Sequence, residues 1–215
     1  MLDMSGATAI VAKGIYIVLF LFAMGGGFNV IMVWLRVGQK RFRSEDEQVQ
    51  FLKELQPMMA GREFKAATEL LDGDSRAISQ LSLLALNNRE LGYERVRQLL
   101  MDRFQRDVLA DLEHRLSWVQ TVIKSAPMVG LFGTVMGMMG AFGKLAGKEN
   151  VNPDVLAGDI SIALITTAAG LAIAIPLVLC IASINIRIRD LEYLVAVGLA
   201  QFLEMFRASG AGSET

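Results

Sequence analysis

Three threonines lie in the apolar part of this 215-residue sequence: Thr134, and the adjacent pair Thr166-Thr167. A hydroxyl in such a setting either bonds back to the carbonyl four residues earlier or forms part of a polar lining. Both uses stay open here. No Asp, Glu, Lys, Arg or His lies in the three apolar stretches Gly14 to Leu35, Ser125 to Phe142 and Ile160 to Ile186. Proton relay through a membrane normally needs an ionisable group at depth, so this chain alone has no carboxylate for it. If it conducts, another chain must supply the titrating group. Asp159 is its nearest acid, either at the outer mouth of the third stretch or as the N-cap of that helix. His114 and Cys180 each occur once, which excludes an internal disulfide framework and a Cys/His zinc site. His114 reads as solvated surface and Cys180 as a small apolar residue. No nucleophile, cofactor or metal chemistry is indicated, and an enzyme is not expected.

The elements that position these residues follow from where the apolar residues sit. The chain is 53% hydrophobic with a mean hydropathy of +0.43, and only 20% charged. Its 21 basic and 22 acidic residues leave a net charge of -1. That excludes a basic nucleic-acid binder and an acidic disordered chain. Uncharged runs of this length predict membrane spans in a lipid bilayer rather than buried helices of a soluble protein. A cleaved signal peptide fits the first run poorly, because a basic cluster follows it and no small-residue cleavage site ends it.

Orientation follows from the basic residues. One, Lys13, precedes the first span; fifteen lie from Arg36 to Lys124; two, Lys144 and Lys148, separate the second and third spans; three follow, Arg187, Arg189 and Arg207. The positive-inside rule then predicts an outward N-terminus at 1–13, spans at 14–35, 125–143 and 160–186, and a cytoplasmic helical domain at 36–124. It places the 144–159 loop outside and a C-terminal helix and tail at 187–215 in the cytoplasm. The fold class expected is an all-α membrane protein whose second and third spans extend into a cytoplasmic helical bundle.

Within the cytoplasmic part, residues 45–72 predict two short helices broken near Pro57–Gly61. Asp72-Gly73-Asp74-Ser75 predicts a turn and helix N-cap. The series Leu100, Phe104, Val108, Leu112, Leu116, Val119, Ile123 predicts one helix of roughly 50 residues from about Glu94, on the order of 80 Å long. A second stripe, Ile184, Ile188, Leu191, Val195, Leu199, Phe202 and Phe206, continues the third span. Both stripes read as bundle packing. No repeat is visible, and the chain from Ala208 to Thr215 reads as a disordered tail.

Gly130, Gly133, Gly137 and Gly140 recur at spacings of three and four, on one face of the second span. Glycine costs about 1 kcal/mol in a helix interior, so the face needs a reason, and close helix packing supplies one. The run from Ala126-Pro127-Met128-Val129-Gly130 through Gly133-Thr134 to Gly137-Met138 resembles the second-span signature of the ExbB/TolQ/MotA ion-channel family. Ala163-Leu164-Ile165-Thr166-Thr167-Ala168-Ala169-Gly170, continuing to Pro176, resembles its third-span signature. The likeness is strong over about Leu112 to Asn185, and the three spans with one modest cytoplasmic loop are similar to the ExbB/TolQ branch.

The resemblance implies a homopentameric ring in the bacterial inner membrane, with the second and third spans lining a pore. Single-span ExbD/TolR-like partners would contribute a membrane aspartate, and ion influx would drive work on a TonB- or TolA-like protein or a gliding apparatus. It carries over Thr134 and Thr167 as pore-lining hydroxyls, with Thr166 counted in the same ion-pathway lining, and Pro127 and Pro176 as residues that shape the helices. Gly130, Gly133, Gly137, Gly140 and Gly170 are packing positions. The family's usual glutamate, five residues before the threonine matching Thr167, is replaced here by Ile162, and Asp159 is a weak substitute. The Thr166-Thr167 pair with Thr134 resembles the threonine set of sodium-driven stators, so protons come first and sodium second. A non-conducting membrane scaffold packed through its glycine face is the reading from a different class.

Overall fold

A computed structural model describes residues 4–42, 44–146 and 153–210, and no strand occurs among them. The order is α1 (Met4–Lys40), α2 (Glu45–Ala60), α3 (Phe64–Leu71), α4 (Ala77–Asn87), a 3-10 turn (Arg89–Leu91), α5 (Tyr93–Arg103), a π-helical segment (Phe104–Leu109), α6 (Ala110–Ala146) and α7 (Pro153–Ala208). Each uncharged run falls inside one helix, α1, α6 or α7. All three helices are long and apolar enough to cross a membrane. The chain divides into two compact units, residues 1–32 with 115–183, and residues 33–114 with 184–215.

The first unit has little interior of its own. Ile15, Leu19 and Ala126 are buried, with Phe22, Val129, Ala169 and Ile173 packed against them. Large apolar side chains stay exposed on every helix, among them Phe20 and Phe28 on α1, Met128 and Phe132 on α6, and Leu164 and Leu179 on α7. Such a surface is costly in water and natural against lipid or other apolar helices.

By contrast, the second unit has a conventional core. Ser44 caps α2, its hydroxyl accepting from the Glu47 N–H at 3.2 Å, and Glu45, Asp46 and Glu47 complement the helix dipole. The helix runs through Pro57 and stops at Ala60, with Gly61 as its cap; the expected break therefore falls just after the proline. The whole α7 stripe from Ile184 to Phe206 is buried. In the other stripe Leu100, Phe104, Val108 and Leu112 are buried in this unit, and the stripe continues into the first unit with Leu116 and Val119 buried and Ile123 half-buried.

Three expectations need correction. The long helix leading into α6 is not uniform, because Phe104–Leu109 is π-helical. Four successive spacings of four, from Leu100 to Leu116, drift around a helix of 3.6 residues per turn. One wider turn absorbs the excess and keeps Phe104 and Val108 on the buried side. The Asp72–Ser75 turn is present, but Arg76 is the N-cap of α4 and its side chain does not cap. Asp74 instead anchors the turn, accepting from the Arg76 N–H at 3.0 Å and the Ser79 hydroxyl at 2.6 Å. Burial alone would raise the Asp74 carboxyl. The Ser79 hydroxyl and the Arg76 backbone and guanidinium outweigh that and hold it below its ordinary 3.8. The tail expected from Ala208 starts later, since Ala208 ends α7 and Ser209 is buried with its hydroxyl donating to the Phe206 carbonyl at 2.8 Å; residues 211–215, the centre of the 144–159 loop and the first three residues lie outside the described residues.

Candidate functional site

Within the first unit α6 and α7 meet backbone to backbone, and the glycines make this possible. A Cβ on Gly130 would sit 2.7 Å from the Thr166 carbonyl oxygen, and one on Gly133 would sit 2.8 Å from Thr166 Cβ. On Gly137 it would meet Ala163 Cβ at 2.6 Å, and on Gly170 the Ala126 carbonyl oxygen at 2.5 Å. Distances under 3 Å leave no room for a side chain. The glycine face is thus occupied by α7 of the same chain. Gly140 is half-buried further along α6. Pro127 and Pro176 stand inside α6 and α7, each withdrawing one N–H from its helix.

That close approach brings all three threonines together. The Thr134 and Thr167 hydroxyls are in direct hydrogen-bond contact across the seam. Thr167 donates to the Gly130 carbonyl at 3.0 Å, across the seam rather than to its own helix. Thr134 reaches its own Gly130 carbonyl at 3.3 Å and the Ala163 carbonyl of α7 at 3.1 Å. Thr166 reaches Ala163 at 2.7 Å and Gly130 at 3.1 Å. Both sequence alternatives are therefore partly realised: there is back-bonding, and there is a polar cluster. Three hydroxyl and two carbonyl oxygens converge in an uncharged cluster.

Exposure separates the three. Thr166 is 2% exposed, facing Gly133 inside the seam, whereas Thr134 and Thr167 are only half-buried. A cavity of about 30 Å³ beside Thr166, lined also by Ile15, Met136 and Ile162, is just large enough for one water. Its walls are almost wholly apolar, so it is a packing gap rather than a hydration site.

Asp159 lies inside α7 rather than at its start, which overturns its reading as the N-cap. It is half-buried and shares a helix face with Ala163 and Thr166, while Ile162 is exposed. His114 is exposed and Cys180 is a half-buried free thiol. No cluster of metal-binding side chains occurs among the described residues. Sequence reasoning missed the Gly130 and Ala163 carbonyls, because backbone oxygens leave no residue-type signal. Their positions were readable only as the residues three or four before each threonine.

This seam can accept and donate hydrogen bonds and can offer oxygen ligands, but it cannot itself hold a net charge. The family model described as the MotA/TolQ/ExbB proton channel family matches residues 74–196, a stretch that includes the whole seam. The Tol-Pal system protein TolQ of Haemophilus influenzae is 38% identical over 101 residues, 47% of this chain and 42% of its own length. A biopolymer transport protein ExbB homolog of Methanothermobacter thermautotrophicus is 29% identical over 185 residues, 80% of this chain and 64% of its own. The biopolymer transport protein ExbB of Xanthomonas campestris is 43% identical over 67 residues, 31% of this chain and 26% of its own. The chain thus spans less than two thirds of the length of each of these relatives.

Proposed function

The chain belongs to the MotA/TolQ/ExbB proton channel family, and from that premise we propose that it is a ring subunit of an ion-driven motor in the bacterial inner membrane. The ring is a homopentamer, and its α6 and α7 spans face a pore. An ExbD/TolR-like single-span partner supplies the aspartate that this chain lacks, and ion influx drives mechanical work across the envelope. A TonB- or TolA-like protein is the receiver of that work. The cytoplasmic side is the one carrying residues 36–124 and 187–215, by the excess of basic residues there.

The observation that carries this reading is the hydroxyl pair of Thr134 and Thr167, half-exposed in a region with no charge of its own. A hydroxyl whose proton is committed keeps acceptor capacity, so the pair can accept from a protonated partner carboxyl as it stands and donates to the carboxylate by turning one proton out of the seam. Thr166, sealed against Gly133, supports the seam instead of lining the pore.

Protons are the first choice of ion. Sodium is the second, favoured by the five converging oxygens, since hydroxyl and carbonyl oxygens suit a hard cation. The scaffold reading is disfavoured because the glycine face is already spent on α7.

The test is Thr134→Val and Thr167→Val, which keep the shape and remove the hydroxyls. Partner-dependent work falls at least tenfold, on the scale of losing a buried hydrogen bond or more, while the assembly still purifies intact. Full activity in both variants rejects the pore assignment. Work measured across sodium concentrations at fixed pH then separates the ions, and independence from sodium removes the second reading.

A further inference from the structure

In the second unit, the residues that follow or close the uncharged runs of α1 and α7 form a site that the motor reading does not use. The Arg187 guanidinium lies over the Trp34 ring, 3.9 Å from its centroid. Arg187 is the first charge after the uncharged run 160–186, and Trp34 is the penultimate residue of the run 14–35. Tryptophan and arginine at such positions sit at headgroup depth.

The cations Arg36, Lys40 and Arg41 that follow Trp34 are committed. Arg36 is paired with Asp111, Arg41 with Asp190 at 3.1 Å, and Lys40 donates to Gln80 at 2.6 Å. Asp190, one turn beyond Arg187 on α7, is thus already engaged by Arg41. Among the described residues no carboxylate is paired with Arg187. Stacking on the indole uses the π face of the guanidinium and leaves its N–H edge, which suits bidentate recognition of a phosphate. Leu35 and Ile186, each next in sequence to one of the pair, are exposed at 56% and 54%. A fixed cation, an aromatic platform and exposed aliphatic side chains match a ligand that is anionic at one end and apolar at the other.

We propose that Arg187 and Trp34 form a binding site for the phosphodiester headgroup of an anionic phospholipid, whose acyl chains enter the apolar layer that the uncharged runs cross. This goes beyond the motor reading and needs only that α1 and α7 cross a membrane.

The full-length protein is purified in detergent with equal amounts of phosphatidylglycerol and phosphatidylcholine, and the lipid retained after exchange is counted by native mass spectrometry. The wild type retains phosphatidylglycerol in preference; equal retention of the two lipids overturns the site without any variant. Arg187→Gln lowers the preference on the order of tenfold, as expected for a charge-assisted bidentate pair partly open to water. Arg187→Lys keeps only part of it, because an ammonium is a point charge without the planar fork. Arg189→Gln removes an exposed charge of the same helix that has no ring beneath it among the described residues, and it leaves the preference unchanged. An equal loss in Arg189→Gln and Arg187→Gln would mean diffuse attraction to an anionic surface and overturns the site. Millimolar glycerol phosphate does not displace the lipid; displacement would make a soluble phosphate the ligand and overturn the lipid assignment.

Discussion

At the scale of single residues, the same amino acid has opposite consequences depending on what faces it. Gly133 faces Thr166 with no space for a Cβ, whereas Gly25 in α1 has nothing within 4 Å of where its Cβ would be. Gly133→Ala therefore forces α6 and α7 apart and lowers stability by about 1–3 kcal/mol, the usual cost of overpacking. Gly25→Ala meets no obstacle and gains up to about 1 kcal/mol from helix propensity. Thermal midpoints of the two variants in one detergent check this, and equal shifts would show that the seam yields freely. The glycine spacing announced a close contact in the sequence. What it left open was the partner, because a small-residue face is equally suited to a helix of the same chain or of another. Only the three-dimensional pairing of Gly130, Gly133 and Gly137 with Ala163 and Thr166 assigns the face to α7.

At the scale of elements, the three apolar helices were the most legible part, since an uncharged run long enough to cross a bilayer has few other uses. The two stripes also identified buried faces correctly down to individual residues, apart from the half-buried Ile123. The π segment was less legible, although its signal was present in the repeated spacing of four. A regular helix reads 3.6 residues per turn, and a series that keeps to four must either spiral or widen. Deleting the exposed Gln105 removes the extra residue and leaves spacings of four, three and four, which an ordinary α-helix accommodates. The deletion variant keeps its fold and assembly, with stability within about 1 kcal/mol of the parent. Hydrogen exchange slows at Arg106 and Asp107, where regular i→i−4 bonds replace the wider turn. A large loss of stability would show that the segment is needed for packing rather than for matching the stripe to the helix.

For the whole molecule, charge and apolar surface are distributed by region rather than mixed. One unit exposes large apolar side chains on each of its helices, and the other holds a buried core with ion pairs at its rim. A net charge of -1 conceals this partition, because fifteen of the 21 basic residues lie between Arg36 and Lys124 while the loop between the second and third spans has two. The asymmetry predicts sidedness, and cysteine labelling reads it directly. In a Cys180→Ala background, Lys53→Cys sits on the exposed face of α2 and Ala157→Cys on an exposed position early in α7. A membrane-impermeant maleimide applied from the outer side of the membrane modifies Ala157→Cys and leaves Lys53→Cys unmodified until the membrane is opened. Labelling in the reverse order inverts the topology. The basic ends of the spans would then lie on the outer side, and the orientation on which the motor reading depends would fail even with the threonine seam intact.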